Sequence, residues 1–151
     1  MDAFQNEDLK RAILARQAPV LWVEFRTAIL VAVQSHNNTA AGLASPATVR
    51  PNANEHALVI EQTKGLATDQ FHAVTVTIQI FFHNAQYFIT AVAEKWLTKG
   101  ACPVSLKTQT WRFEMHPDIT EGRAWLMDDG TRVSAQEAVE RVLLPVLAFD
   151  F

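Results

Sequence analysis

The segment Pro19–Val33 carries apolar side chains on nearly every side of the helix that it predicts. At about 100° per residue, four polar side chains collect in a narrow stripe: Glu24, Thr27, Gln34 and Ser35. Arg26 falls on the far side of this helix, among apolar residues. Such a pattern is typical of a helix that is covered on more than one side. It therefore predicts a central helix with one charge placed among apolar neighbours.

The residues around this helix predict a first helix before it and a long loop after it. The acidic start of Asn6–Gln17 suits the positive end of a helix, and Pro19 suits the first turn of a second helix that ends near His36. The following residues, 37–54, are rich in Ala, Asn, Thr and Pro and show no sustained period. We expect a long loop there, with room for a short strand around Ala47–Arg50.

Alternating apolar positions predict four strands along the remaining chain: His56–Thr63, His72–Phe82, Val104–Met115 and Arg123–Met127. Between the second and the third strand, Asn84–Gly100 has apolar residues at helical spacing and predicts an amphipathic helix. Ser134 and Glu137 form a capping box that begins a last helix, which runs to about Leu144 before Pro145 ends or bends it. The apolar residues after Pro145 are expected to pack on their own core or on a neighbouring molecule.

These elements predict an α+β fold for a single domain spanning residues 1–151. The expected sheet is mainly antiparallel and has about four strands, in the order α(α)-β-β-α-β-β-α. It is expected to pack against the apolar N-terminal helix. A chain of 151 residues is long enough to bury an independent core.

Composition narrows the expected partners and compartment. The net charge of -3 and the scattered basic residues leave no positive field for nucleic acid. The single cysteine, Cys102, excludes an intrachain disulfide framework and favours a reducing compartment. The apolar run Pro19–Val33 is shorter than the ~20 residues of a membrane span and contains charges. The acidic N-terminus does not resemble a secretory signal, so we expect a cytoplasmic protein without a membrane partner.

Arg26 and the polar face of the second strand are the candidates for ligand or anion binding. A guanidinium among apolar residues must pair, reach an edge or bind an anion, and Glu61 and Glu114 are the candidate ion-pair partners. Thr77 and Gln79 share one strand face and, with Trp111, have the mixed character of pocket residues. The same aromatics also suit a core or an oligomer interface.

Catalytic and metal chemistry have weak support in the sequence. Glu114, His116 and Asp118 would share a face of an extended strand, which suits a metal, but a strand that runs into a turn also shows this spacing. Cys102 stands in a loop near lysines, without the signature of a nucleophile. The chain has no phosphate-binding glycine loop, dinucleotide motif or nucleophile elbow. We therefore predict no metal and no cofactor, and favour a protein without catalytic activity.

The surplus of apolar surface predicts a binding or assembly module that forms homodimers or larger homo-oligomers. The contact is expected at Pro19–Val33 or at the C-terminal tail. A second hypothesis is a small-molecule-binding protein or small enzyme with a cavity between the sheet and the apolar helix, where Arg26 anchors an acidic group and His72 or His116 transfers protons. A third is a component of a larger complex whose loop at residues 37–54 docks on another protein.

Overall fold

The N-terminal region forms one long helix, α1 (Ala3–Asn37), in the computed structural model, which describes residues 2–51, 56–66, 69–99 and 102–151. Asp2 and Gln5 form a capping box at its start, with the Gln5 amide nitrogen 2.8 Å from the Asp2 carboxylate. The predicted break at Pro19 is wrong, because the helix continues through it. Proline removes the hydrogen bond to Ala15, but both residues are exposed, so water can satisfy the Ala15 carbonyl.

The region predicted as a long loop after α1 contains instead a short helix, α2 (Ala40–Ala44), and a strand, β1 (Ala47–Pro51), at the place where the sequence left room for a short strand. The Asn37 side chain fixes this corner, because it accepts a hydrogen bond from the Ala47 amide at 2.8 Å and donates one to the Ala47 carbonyl at 2.9 Å. Gly42 lies against the end of α1 in this corner. Residues 52–54 of the predicted loop lie outside the described residues.

Seven antiparallel strands follow one another as neighbours in a single curled sheet, a half-barrel in the order β1 to β7. The predicted arrangement of four strands with a helix in the middle is therefore wrong. The strands after β1 are β2 (Ala57–Leu66), β3 (Asp69–His83), β4 (Phe88–Lys99), β5 (Cys102–Asp118), β6 (Arg123–Asp128) and β7 (Thr131–Val133). The expected strands match β2, β3, β5 and β6 within a few residues of their ends.

Strand β4 occupies the place of the predicted amphipathic helix and pairs with β3 and β5 along its whole length. Its alternate residues Ile89, Ala91 and Ala93 are buried against the core. Asn84, the predicted N-cap, lies in the turn before β4, and Tyr87 closes that turn with a positive φ of 59°. Gly100, the predicted end of the helix, lies outside the described residues.

The core fills the concave side of the sheet, where α1 and the last helix, α3 (Ala135–Leu147), pack together. Phe25 and Ile29 of α1 are fully buried and meet Ile78 of β3 and Phe113 of β5 in the same cluster. Among the described side chains, the other face of the sheet is exposed or half-buried apart from Ala57, which is buried. Helix α1 is therefore buried on the side that faces the sheet and exposed on the opposite side.

The C-terminal region confirms the predicted capping box, in which the Glu137 amide lies 3.1 Å from the Ser134 hydroxyl. Helix α3 continues past Pro145, so the predicted end at about Leu144 is wrong by one turn. Phe149 and Phe151 are half-buried and pack on the core of their own chain. Lys95 donates a hydrogen bond to the Phe149 carbonyl at 2.9 Å, so β4 holds the tail in place.

Candidate interaction surface

The side of α1 that faces away from the sheet carries the predicted polar residues Glu24, Thr27, Gln34 and Ser35, all exposed, and between them a row of exposed apolar side chains. Large side chains there are between 45% and 61% exposed: Val20, Val23, Leu30 and Val31. Together with Thr27 they form what we call the helical stripe. Four of its members recur at intervals of three and four residues (20, 23, 27 and 30), the spacing of the contact seam between two packed helices. One chain therefore leaves a packing seam in solvent.

Two grooves lie beside the helical stripe, between α1 and the neighbouring α3. The first has a volume of about 680 Å³ and includes Val23, Thr27 and Val139. The second, of about 410 Å³, lies near α2 and includes Leu143 and Leu144. We call the stripe and these two grooves the helical face. Among the described residues that line the grooves, Glu24 and Glu140 are acidic and none is Lys or Arg, so the face is apolar with an acidic border.

The space between α1 and the sheet is filled by aromatic side chains. The Trp22 ring stacks on Phe82, with centroids 5.5 Å apart. Phe25 packs on Phe113 with centroids 5.8 Å apart, and both rings are fully buried. These side chains occupy the place where the second functional hypothesis puts a ligand cavity.

The predicted ligand residues of the sheet are divided between its two faces. Thr77 and Gln79 lie on the convex face and border a depression of about 190 Å³ with Glu94 and Trp96. Trp111 pairs with the buried Ala91 and packs against the core on the concave side, because alternate strand residues point to opposite faces. The three predicted residues therefore do not share a site.

Arg26 is half-buried at the side of α1 and meets neither predicted partner. Glu61 pairs with Arg50 at 4.0 Å, and Glu114 pairs with Arg112 at 3.2 Å. Within the described parts of the chain, Arg26 makes no hydrogen bond or ion pair. Its partial exposure agrees with the expectation that a long basic side chain keeps its charge in water while its stem lies along apolar surface.

Glu114, His116 and Asp118 lie along the convex face near the end of β5, but they do not converge. His116 contacts the Glu114 carboxylate at 3.4 Å, whereas Asp118 pairs with Arg132 at 3.5 Å. Over the residues that the structure describes, no three His, Cys, Asp or Glu side chains are grouped as metal ligands would be. The side chain of His72, the other proton-transfer candidate, lies outside the described part of the molecule.

A cation–π stack that sequence analysis missed lies beside this group. The Trp125 ring is held between two guanidinium groups, with Arg123 at 3.8 Å and Arg132 at 4.1 Å from its centroid. Two features of the sequence could have indicated this contact. Arg123 and Trp125 are two residues apart and so share one face of a strand, and the turn before β7 brings Arg132 back beside that strand. Both guanidinium groups lie within cation–π distance of the same indole, so this ring already has two cationic partners within its own chain.

The far end of the sheet is a second exposed apolar region. All residues of β5 from Cys102 to Thr108 are exposed, a length of about 23 Å at a rise of about 3.3 Å per residue. Val104 and Leu106 are 52% and 51% exposed. We call residues 102–108, with the paired end of β4, the sheet tip. The predicted strand already contained these apolar residues, but their exposure was not predicted.

By length and composition, α1 passes the test for a helix that is able to cross a membrane. About a third of its most apolar window is buried inside the protein, and core helices and signal sequences pass the same test. The predicted run Pro19–Val33 is thus part of a longer helix than expected.

No family model, curated protein or solved structure matches this chain.

Proposed function

We propose that this protein is a non-catalytic assembly module that self-associates through the helical face. The observation that carries the proposal is the exposed helical stripe, since monomeric proteins rarely leave a contiguous packing seam in water. The filled space between α1 and the sheet supports a scaffold more than a ligand carrier. Catalysis has no comparable support among the described side chains.

The energy available from this face sets the strength of association. Full burial of a Val or Leu side chain contributes about 1.5–3 kcal/mol, and the four apolar stripe residues and Leu144 are roughly half to two-thirds exposed. In self-association both copies bury this set, which would supply about 8–16 kcal/mol, from which the cost of association subtracts at least about 4 kcal/mol. A micromolar complex corresponds to about 8 kcal/mol. We therefore expect assembly in the micromolar range.

Sedimentation velocity and native mass spectrometry over about 1–200 µM protein, a range that brackets this affinity, test the proposal. The wild-type chain is expected to form oligomers as concentration rises. Leu30→Glu places a charge in the stripe and is expected to yield monomers with unchanged circular dichroism. Gln86→Glu is the matched control, because it adds the same charge in the exposed turn before β4. A wild-type chain that stays monomeric throughout, or a Leu30→Glu variant that assembles normally, would contradict self-association.

A further inference from the structure

A depression on the convex face of the sheet, which we call the convex depression, is lined by polar and apolar side chains together. Its volume is about 190 Å³, and its walls are Thr77 and Gln79 of β3 and Val92, Glu94 and Trp96 of β4. Thr77 lies opposite Glu94, and Gln79 lies opposite Val92. Because paired strand residues point to the same face of a sheet, these side chains meet outside the core.

The protein itself leaves the polar groups of the convex depression unused. Among the residues that the structure describes, the side chains of Thr77, Gln79 and Glu94 have no hydrogen-bond or ion-pair partner. The Trp96 ring likewise has no aromatic or cationic partner there, in contrast to Trp125. Gln79 is exposed and Trp96 is half-buried, so both can contact a molecule from solution. The depression therefore combines an open indole ring with free hydrogen-bonding groups.

Exposed hydroxyl groups continue from the convex depression onto β5. Thr108 and Thr110 are exposed and pair with Glu94 and Val92. The depression is smaller than the roughly 300–1,000 Å³ of pockets that enclose a whole small molecule. It therefore suits one ring of a longer ligand, whose remainder lies along the open face beside these threonines.

The chemistry of the lining selects one class of ligand. Among the five residues that line the depression, Glu94 is the only ionisable one, so an anionic ligand would be repelled. An indole ring packs on apolar C–H groups, whereas hydroxyl, amide and carboxylate groups bind hydroxyls. A sugar ring offers both, with C–H groups on its faces and hydroxyls around its edge. A cation would use Trp96 and Glu94 alone and leave Thr77 and Gln79 without a partner.

We infer that the convex depression binds an uncharged saccharide chain. One sugar ring packs its C–H face on Trp96. Its hydroxyls bind the side chains of Thr77, Gln79 and Glu94, and the next ring lies beside Thr110. The helical face is on the opposite side of the molecule, because α1 packs on the concave side of the sheet. The saccharide site therefore does not depend on the proposed self-association.

Titration with neutral oligosaccharides, followed by heteronuclear NMR, tests this site. The probes are maltohexaose, cellohexaose and hexa-N-acetylchitohexaose, each up to about 10 mM, a range that covers weak binding. The chain has four tryptophans, and the indole N–H signal of Trp96 is identified by its loss in Trp96→Phe. At least one hexasaccharide is expected to shift this signal saturably. The Leu30→Glu variant is expected to bind the same hexasaccharide as the wild type does, since its change lies on the helical face.

Two variants and a matched control measure the contributions of the lining. Thr77→Val removes one hydroxyl and keeps the shape of the side chain, and it is expected to weaken hexasaccharide binding by about two- to tenfold, the contribution of a single hydrogen bond. Thr131→Val makes the same change at an exposed position of β7 and is expected to have no effect. Trp96→Ala is expected to weaken binding by at least about tenfold, as loss of a central tryptophan commonly does.

Tetramethylammonium chloride is the cationic probe that separates the alternatives. If it shifts the Trp96 signal and none of the hexasaccharides does, the depression is a cation site and the saccharide inference is wrong. A Trp96 signal that no hexasaccharide shifts, or binding that Thr77→Val and Trp96→Ala leave unchanged, also overturns it. A wild-type chain that stays monomeric but binds a hexasaccharide removes the proposed function alone.

Discussion

Replacing Gly42 by alanine is expected to destabilise the protein, although alanine is the better helix former. A Cβ atom at this position would lie 2.7 Å from the Asn37 Cα atom and closer still to the His36 carbonyl oxygen. Carbon atoms pack at about 3.5–4.0 Å and the approach to the carbonyl oxygen is the closer one, so α2 has to move by more than about 1 Å away from the end of α1. Both obstacles are backbone atoms and do not rotate aside.

The expected loss of stability is the sum of two costs and one smaller gain. Overpacking costs about 1–3 kcal/mol. The movement also weakens the paired hydrogen bonds between Asn37 and Ala47, at about 0.5–1.5 kcal/mol each. Because alanine favours the helical conformation more than glycine does, it offsets about 0.5–1 kcal/mol of this cost. We expect a net loss of about 2–4 kcal/mol, which lowers the melting temperature by about 5–15 °C for a chain of this length.

Urea unfolding followed by circular dichroism measures this loss. Ala41→Gly is the matched control, because Ala41 is exposed in the same helix and its change reports helix preference alone, at about 0.5–1 kcal/mol. A Gly42→Ala variant that is more stable than the wild type would show that the close approach of α2 to α1 is not a constraint, and would refute the reasoning.

Three further substitutions test the core, the last helix and Arg26 by urea unfolding. Phe25→Ala empties the centre of the contact between α1 and the sheet and is expected to cost about 3–5 kcal/mol; a cost below about 1 kcal/mol would contradict that packing. Ser134→Ala removes the cap of α3 and is expected to cost about 0.5–2 kcal/mol, so an unchanged midpoint would count against the capping box. Arg26→Met is expected to change stability by less than about 0.5 kcal/mol, and a loss above 2 kcal/mol would reveal a buried ion pair.

The strands with one buried face were predictable from the sequence, whereas β4 was not. In β3, the buried residues Val76, Ile78 and Ile80 alternate with polar residues, and this two-residue period is the sequence pattern of a strand with one buried face. Strand β4 lies between two long strands and has half-buried apolar residues on its convex face, including Val92 and Trp96. Apolar residues on both faces erase the alternation, and the remaining pattern happened to match helical spacing.

The continuous α1 was not predictable from local rules, because Pro19 is a strong signal for a helix boundary. The helix persists since packing of Trp22 and Phe25 on one side outweighs a missing hydrogen bond on the exposed side. Strands β1 and β7 have only five and three residues, too few to show a period. Their existence depends on the edges offered by β2 and β6.

The candidate interaction surface was predictable only in part. The excess of apolar residues in α1 indicated a second contact, but the sequence could not show which residues the sheet covers and which it leaves exposed. Val104 and Leu106 looked like ordinary strand residues, because exposure at the end of a long strand depends on how far the helices reach along the sheet. The pairing of Trp125 with Arg123 and Arg132 likewise depends on strand register.

Helix α1 packs against α3, which the ribosome synthesises last among the helices and strands of this chain. Each strand of the sheet has its partner as soon as the next strand emerges, because neighbours in sequence are neighbours in space. Helix α1 is synthesised before all of them, yet its covering partners include α3, about 100 residues later. At a synthesis rate of about 5–20 residues per second, roughly 5–20 s pass between the synthesis of α1 and that of α3. Until α3 has been synthesised, the side of α1 that α3 covers in the folded protein stays exposed.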